Sequence, residues 1–185
     1  MPMRQITVFA SLLLMLVLLA GSPCRAAESV PDESQVKAAL VFNIAKFVDW
    51  PPTAFVQDST PLVIYTLGGG GFTSAVAGLH GKQLKGRSVV VTHISRAEDI
   101  RACHVLVIGN ADSNLIQAVL YKLRTQPVLS ISDRDRFAHS GGVVGLFRQA
   151  NKVKFEINLL AAQQHQLKIS SHLLKLARIV GQEEP

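Results

Sequence analysis

Gly68-Gly69-Gly70-Gly71 is the first stretch of this sequence with chemistry in it. It follows a strand-like aliphatic run and precedes a helix-like one, where backbone N–H groups could cradle an anion. No G-x-G-x-x-G can be placed there, because Thr73 and Ser74 stand where the third glycine is required. Gly81-Lys82 also fails as a phosphate loop, with Val76 in the first glycine position and Gln83 in place of Ser or Thr. A flexible turn or a loosely specified small-ligand loop remains, with Gly68 and Gly69 as its candidates for ligand contact. Ser132-Asp133-Arg134-Asp135-Arg136 closes another strand-like run at its carboxyl end, where open α/β sheets bind ligands. Ser132 is the third ligand candidate. With His139 nearby a hydrolase is conceivable, but Ser132 sits in no G-x-S-x-G elbow and a triad is not read from sequence neighbours. No catalytic residue is assigned.

Six histidines raise the question of a metal. Their spacing answers against one: there is no His-x-x-x-His and no Cys-x-x-Cys. His93 follows one expected strand while Cys103 and His104 precede the next, which puts them at opposite ends of parallel neighbours. No cofactor is implied. Cys103 is the one cysteine beyond the N-terminal leader, so it is expected unpaired within the chain, as a buried and inert thiol. Trp50, the single tryptophan, forms a stiff apolar corner with Pro51 and Pro52. That corner either caps the core or anchors a partner.

The elements that must position these residues alternate regularly. Asp32 with Gln35 reads as a capping box. From Val36 the apolar positions Leu40, Ile44, Phe47 and Val48 keep a helical period, widened by Val41 and Ala45, until Pro51-Pro52 ends it. Leu62 to Leu67, Ser88 to Thr92, Val105 to Ile108 and Val128 to Ile131 are aliphatic with little alternation, as strands covered on both faces are. Phe72 to Leu79, a polar turn at Arg96 to Arg101, and Ser113 to Leu123 supply the crossovers. Val143 to Phe147 and the alternating Val153, Phe155 and Ile157 read as an antiparallel hairpin. A last helix is expected from about Ser170 to Gly181, with Leu173, Leu174, Ala177 and Val180 inward and His172, Lys175 and Arg178 outward. The expected fold class is α/β: a mainly parallel sheet with helices on both faces and an antiparallel C-terminal edge hairpin.

Residues 1–26 read as a secretory signal: Arg4, an apolar core from Ile6 to Ala20, then Cys24-Arg25-Ala26 before the cut. The core has about 15 residues, short of the ~20 that span a bilayer. Residues 27–185 suit a single domain. Lys and Arg number 19 against 13 Asp and Glu, and two of the basic residues belong to the leader. The remaining excess is small and dispersed, so nucleic acid is not an expected partner.

Lys37-Ala38-Ala39-Leu40 leading to Asn43-Ile44-Ala45-Lys46-Phe47-Val48-Asp49-Trp50-Pro51 resembles the opening motif of the YfiR-like periplasmic family. Leu67-Gly68, the Cys103 to Gly109 strand, Leu129 to Asp133 with Phe137, Gly141-Gly142, Val153 to Asn158, and Leu167 to Leu174 follow in matching order. The resemblance implies a periplasmic α/β domain, often dimeric. It also implies repression of an inner-membrane diguanylate cyclase through its periplasmic sensor region, which lowers cyclic-di-GMP and biofilm formation, with an outer-membrane lipoprotein able to sequester the repressor. Some relatives pair a cysteine at the Cys103 position with one in the first strand, where this chain has Tyr65, so redox gating by internal disulfides is not expected here. The contact surfaces expected are the Trp50-Pro51 corner, the Asp133 loop, and the outward face around His172, Lys175 and Arg178. The rival reading is a periplasmic small-ligand sensor or carrier.

Overall fold

The computed structural model describes residues 32–181; the expected leader lies outside them. Ten strands and five α-helices follow one another, with three short 3-10 turns. The helices are α1 (Glu33–Lys46), α2 (Gly71–Ala77), α3 (Ser113–Leu123), α4 (Leu159–Gln164) and α5 (Ser171–Leu174). The strands are β1 (Val48–Asp49), β2 (Leu62–Leu67), β3 (Gln83–Leu84), β4 (Arg87–Ile94), β5 (Val105–Ile108), β6 (Leu129–Ser132), β7 (Val144–Gln149), β8 (Lys152–Asn158), β9 (Lys168–Ile169) and β10 (Arg178–Val180).

Eight strands form one sheet in the order β10-β8-β7-β6-β5-β2-β4-β3. Its five-strand heart, β4-β2-β5-β6-β7, is parallel throughout. Renumbered along the chain this is the 2-1-3-4-5 order of one of the common doubly wound folds, with the order reversing between β2 and β5. The four expected runs became β2, β4, β5 and β6; β2 and β5 keep the bounds read from sequence and, with β6, are buried almost throughout, whereas β4, paired on its outer side only with the two-residue β3, leaves Ser88, Thr92 and His93 exposed. The hairpin β7–β8 is antiparallel as expected.

Two apolar layers cover the sheet. On one face α1 buries Ala38, Val41, Ile44 and Ala45 against Ile64, Val105, Ile131, Leu146 and Ile157. On the other, Ile116, Val119 and Leu123 of α3 meet Leu67, Leu106, Ile108 and Phe137. Asp32 caps α1 by accepting from the Ser34 N–H at 3.4 Å.

Two expectations are corrected. Phe47 does not turn inward: α1 ends there, the ring is 37% exposed, and it packs against the His172 ring at 5.4 Å. The C-terminal helix lasts one turn, Ser171–Leu174, after which the chain becomes β10, parallel to β8. In β10 Ile179 packs against the core while Arg178 stands in register with Glu156. His172, Lys175 and Arg178 therefore share no helix face. Sequence reading also missed α4 and the short antiparallel pair β1–β9, which ties the end of α1 to the turn before α5.

Candidate functional site

The reversal of strand order between β2 and β5 leaves a crevice at their carboxyl ends, and the glycine run lies in it. Gly68 leaves β2 with φ +77°, a backbone that side chains avoid. A Cβ there would stand 2.5 Å from the carbonyl oxygen of Asn110. Only glycine lets the two loops touch, and they do: the Gly69 N–H donates to Asn110 O at 3.0 Å and the Asn110 N–H returns a bond to Gly69 O at 2.9 Å. Gly69 is thus committed to the loop rather than presenting its N–H to an anion. Beyond it, a cleft of about 300 Å³ is lined by Ser34, Lys37, Gly70, Asn110, Asp133 and Arg134 among others.

Charge in this cleft comes from residues far apart in sequence. The Lys37 ammonium lies 2.8 Å from Asp133 Oδ2 and 2.7 Å from Glu33 Oε1. Burial pulls the Lys37 pKa down, but bonding to Asp133 and Glu33 outweighs it and holds the group above its ordinary value. Hydrogen bonding from Lys37 lowers the Glu33 carboxyl in turn. Arg134 donates to Ala111 O at 2.7 Å and to Ser113 Oγ at 3.0 Å, so its guanidinium braces the start of α3. Asp133 is an ion-pair partner of α1 and caps no helix. Ser132, fully buried, donates to Ile108 O at 2.8 Å and accepts from the Arg134 N–H. Its hydroxyl is occupied on both counts, the arrangement of a structural serine rather than a nucleophile.

The Trp50-Pro51 corner lies at the other end of the sheet. Trp50 Nε1 donates to the carbonyl of His104 at 3.1 Å. The Phe55 ring stacks on the His104 imidazole at 4.2 Å, nearly parallel, and the Arg87 guanidinium lies over the same Phe55 ring at 4.0 Å. His104 accepts from the Val63 N–H at Nδ1 and reaches Ala54 O from Nε2 at 2.9 Å, so Nε2 carries the proton of a neutral ring. Desolvation lowers its pKa. A groove of about 580 Å³ opens beside this cluster, lined by Trp50, Pro51, Pro52, Gln163, Leu167 and Lys168 among others.

The remaining sequence candidates are scattered. Arg178 stands on the edge strand β10, its guanidinium 4.4 Å from the centre of the Phe147 ring and 4.0 Å from Glu156 Oε2. His172 lies on Phe47, and Lys175 is exposed after α5. Cys103 is buried, and desolvation pushes its thiol up to about 12, so it stays protonated and unreactive at neutral pH. No cluster of metal-ligating side chains occurs among the described residues. Lys37 is the residue that sequence reasoning missed. Its partner is 96 positions away, and no local pattern announces the pair.

No helix among the described residues is long and apolar enough to cross a membrane. A family profile described as YfiR/HmsC-like matches residues 34–178. No curated protein matches the chain. Among solved structures, a conserved domain protein from Vibrio cholerae O1 biovar El Tor aligns with a TM-score of 0.52 at 12% identity over 80% of this chain, a likeness of fold alone. An ABC domain in complex with L-Trp from Streptococcus pneumoniae aligns at 0.49, also at 12% identity over 80% of this chain. The chain spans about 60% of the length of each of these two structures.

Proposed function

The chain belongs to the YfiR/HmsC-like family, whose members are periplasmic regulators of diguanylate cyclases, and from that membership we propose that this protein represses one inner-membrane cyclase. It is exported by its N-terminal signal, folds as one domain over residues 27–185, and binds the periplasmic sensor region of the cyclase, lowering cyclic-di-GMP and biofilm formation. An outer-membrane lipoprotein sequesters it, and it acts as a homodimer without reaction chemistry of its own. The match over residues 34–178 carries this reading, since it includes every described strand except the end of β10. The buried, doubly bonded Ser132 hydroxyl agrees with a binding role. Binding can shift the receptor between states only by its difference in affinity for them. The Trp50-Pro51 corner and the Asp133 loop, at opposite ends of the sheet, and His172, Lys175 and Arg178 along its C-terminal side remain the proposed contacts.

The test is deletion of the gene, followed by measurement of cellular cyclic-di-GMP. Levels should rise, and the chain with its leader should restore them while a leaderless chain does not. Unchanged levels on deletion, or full rescue by the leaderless chain, would refute the reading.

A second reading has an observation of its own, the cleft of about 300 Å³ at the strand-order reversal, where doubly wound folds hold small ligands. A sensor or carrier would gain thermal stability from one member of a metabolite panel, about 2.7 kcal/mol at a hundredfold excess over Kd. A pure protein binder would gain none.

A further inference from the structure

The hairpin β7–β8 outruns the rest of the sheet. β6 pairs with β7 only at Val144 and Gly145, and β10 pairs with β8 only from Glu156 to Asn158. Leu146 to Gln149 and Lys152 to Phe155 therefore pair with each other and with no other strand. At roughly 3.4 Å per residue they form an overhang about 13 Å long at the carboxyl end of the sheet. The stretch from Leu146 to Phe155 carries no acidic residue; of its cations Arg148 falls on the α1 side opposite Val153 and pairs with Glu33, while Lys152 and Lys154 fall on the other face.

Register sorts these side chains by face. Leu146, Val153 and Phe155 turn to the α1 side and join the core there. The opposite face carries Gln149 beside Lys152, Phe147 beside Lys154, and Arg178 from β10 next to Glu156. Lys152, Lys154 and Arg178 are exposed, while Glu156, the one acid on this face, is 6% exposed. His139 Nε2 lies 3.6 Å from Glu156 Oε2, and Arg178 approaches the same oxygen at 4.0 Å. The α3 layer stops short: its buried cluster draws on β2, β4, β5 and β6 flanks but on no residue of β7 or β8.

We infer that this uncovered basic face of the β7–β8 overhang lies against an anionic phospholipid surface. Lys152 and Lys154 stand two residues apart on the same strand face, both exposed, and are cations with no ion-pair partner among the described residues. An acidic protein partner is the lesser fit. Protein interfaces gain most from an aromatic anchor that drops into a pocket, and the aromatic of this face, Phe147, is already roofed by the Arg178 guanidinium. Attraction of this kind is worth roughly fivefold in partitioning per lysine near the surface, and salt screens it over about 8 Å at physiological strength. It would hold a periplasmic protein near membrane receptors without any contact to them, raising their effective concentration. The inference stands apart from repression, because lipid alone suffices to test it.

The experiment is co-sedimentation of the purified mature chain with vesicles of phosphatidylglycerol and phosphatidylcholine, against vesicles of phosphatidylcholine alone. The protein should pellet with the anionic vesicles at low salt and leave them at high salt. Lys152→Gln/Lys154→Gln should lower the partition coefficient about 25-fold, with an unchanged circular dichroism spectrum. Arg101→Gln/Lys122→Gln, which removes equal charge at the other end of the sheet, should bind like the parent. A parent that stays in the supernatant overturns the inference and leaves the face to an acidic protein. So does a Lys152→Gln/Lys154→Gln protein that pellets as well as the parent.

Discussion

At the amino ends of the strands Trp50, Phe55 and His104 interlock, and the polar atoms of the Trp50 and His104 rings bond to backbone within the chain. At the carboxyl ends glycines bring loops into contact, and charge is supplied by Lys37, Glu33, Asp133 and Arg134 around an open cleft. The first end is built from stacked rings and desolvation, the second from backbone proximity and ion pairs reaching across elements. Removing a ring at the amino end opens a cavity, whereas removing a charge at the carboxyl end strands its partner. The two ends should therefore fail differently, and substitutions can separate them.

Trp50→Ala should have the largest effect. It takes away a half-buried indole and the donor that holds His104 O, and we expect a loss of about 3 kcal/mol in urea unfolding. Trp50→Phe keeps most of the apolar surface and should lose about 1 kcal/mol. Equal losses in both would mean that the hydrogen bond, rather than the ring, organises the amino end. Because Trp50→Ala acts on stability, receptor binding by that variant has to be measured well below its melting temperature.

Gly68→Ala comes next, at the carboxyl end. Backbone strain at positive φ adds to the approach of 2.5 Å to Asn110 O, and the expected loss is about 2 kcal/mol. Gly69→Ala meets nothing within 4 Å and serves as the contrast, with a loss under about 1 kcal/mol. If the two alanines cost the same, the contact between the β2 and β5 loops does not hold the cleft in shape.

Lys37→Met leaves Asp133 without its cation and should cost about 1–2 kcal/mol in urea unfolding. A double cycle with Asp133→Asn isolates the pair. No coupling between the two would reduce the carboxyl end to independent surface charges.

These contrasts also mark what the sequence could and could not reveal. Strands β2 and β5 were legible to the residue because burial on both faces leaves them almost wholly apolar, with Thr66 the one buried polar exception, and turn residues bound them. The end of the chain was misread because Leu173, Leu174, Ala177 and Val180 keep a helical spacing that the one-turn α5 and the strand β10 satisfy separately. Local period was outweighed by pairing with β8, an event some 22 residues distant in sequence. Phe47 was misplaced for a related reason: the stripe predicted from period ran two positions past Lys46, where α1 stops, and Val48 is buried as part of β1 instead. Of the candidate site, the glycine run and the Ser132-Asp133 strand end were visible as motifs and do meet at one cleft. The Lys37–Asp133 pair and the separation of Trp50 from that cleft were not visible, because both depend on α1 running antiparallel to β2 across the sheet.

The smallest expected effect is a pH dependence confined to the amino end. His104 is neutral in the folded protein, with Nδ1 accepting from Val63 N–H and Nε2 donating to Ala54 O, and burial depresses its pKa below the unfolded value. Between the unfolded pKa of about 6.5 and the lower folded one, the unfolded chain binds a proton that the native chain refuses. Stability from this group is thus fully present above about pH 6.5 and declines as pH falls through that value. His104→Asn keeps an acceptor and a donor but cannot titrate, so its unfolding free energy, though lower throughout by about 1–3 kcal/mol, should lose this slope between pH 7 and pH 5.5. The Glu33 carboxyl, held below its ordinary value by the hydrogen bond from Lys37, leaves that range undisturbed. A slope that persists in His104→Asn would assign it to another histidine and remove His104 from the account of why the amino end is rigid.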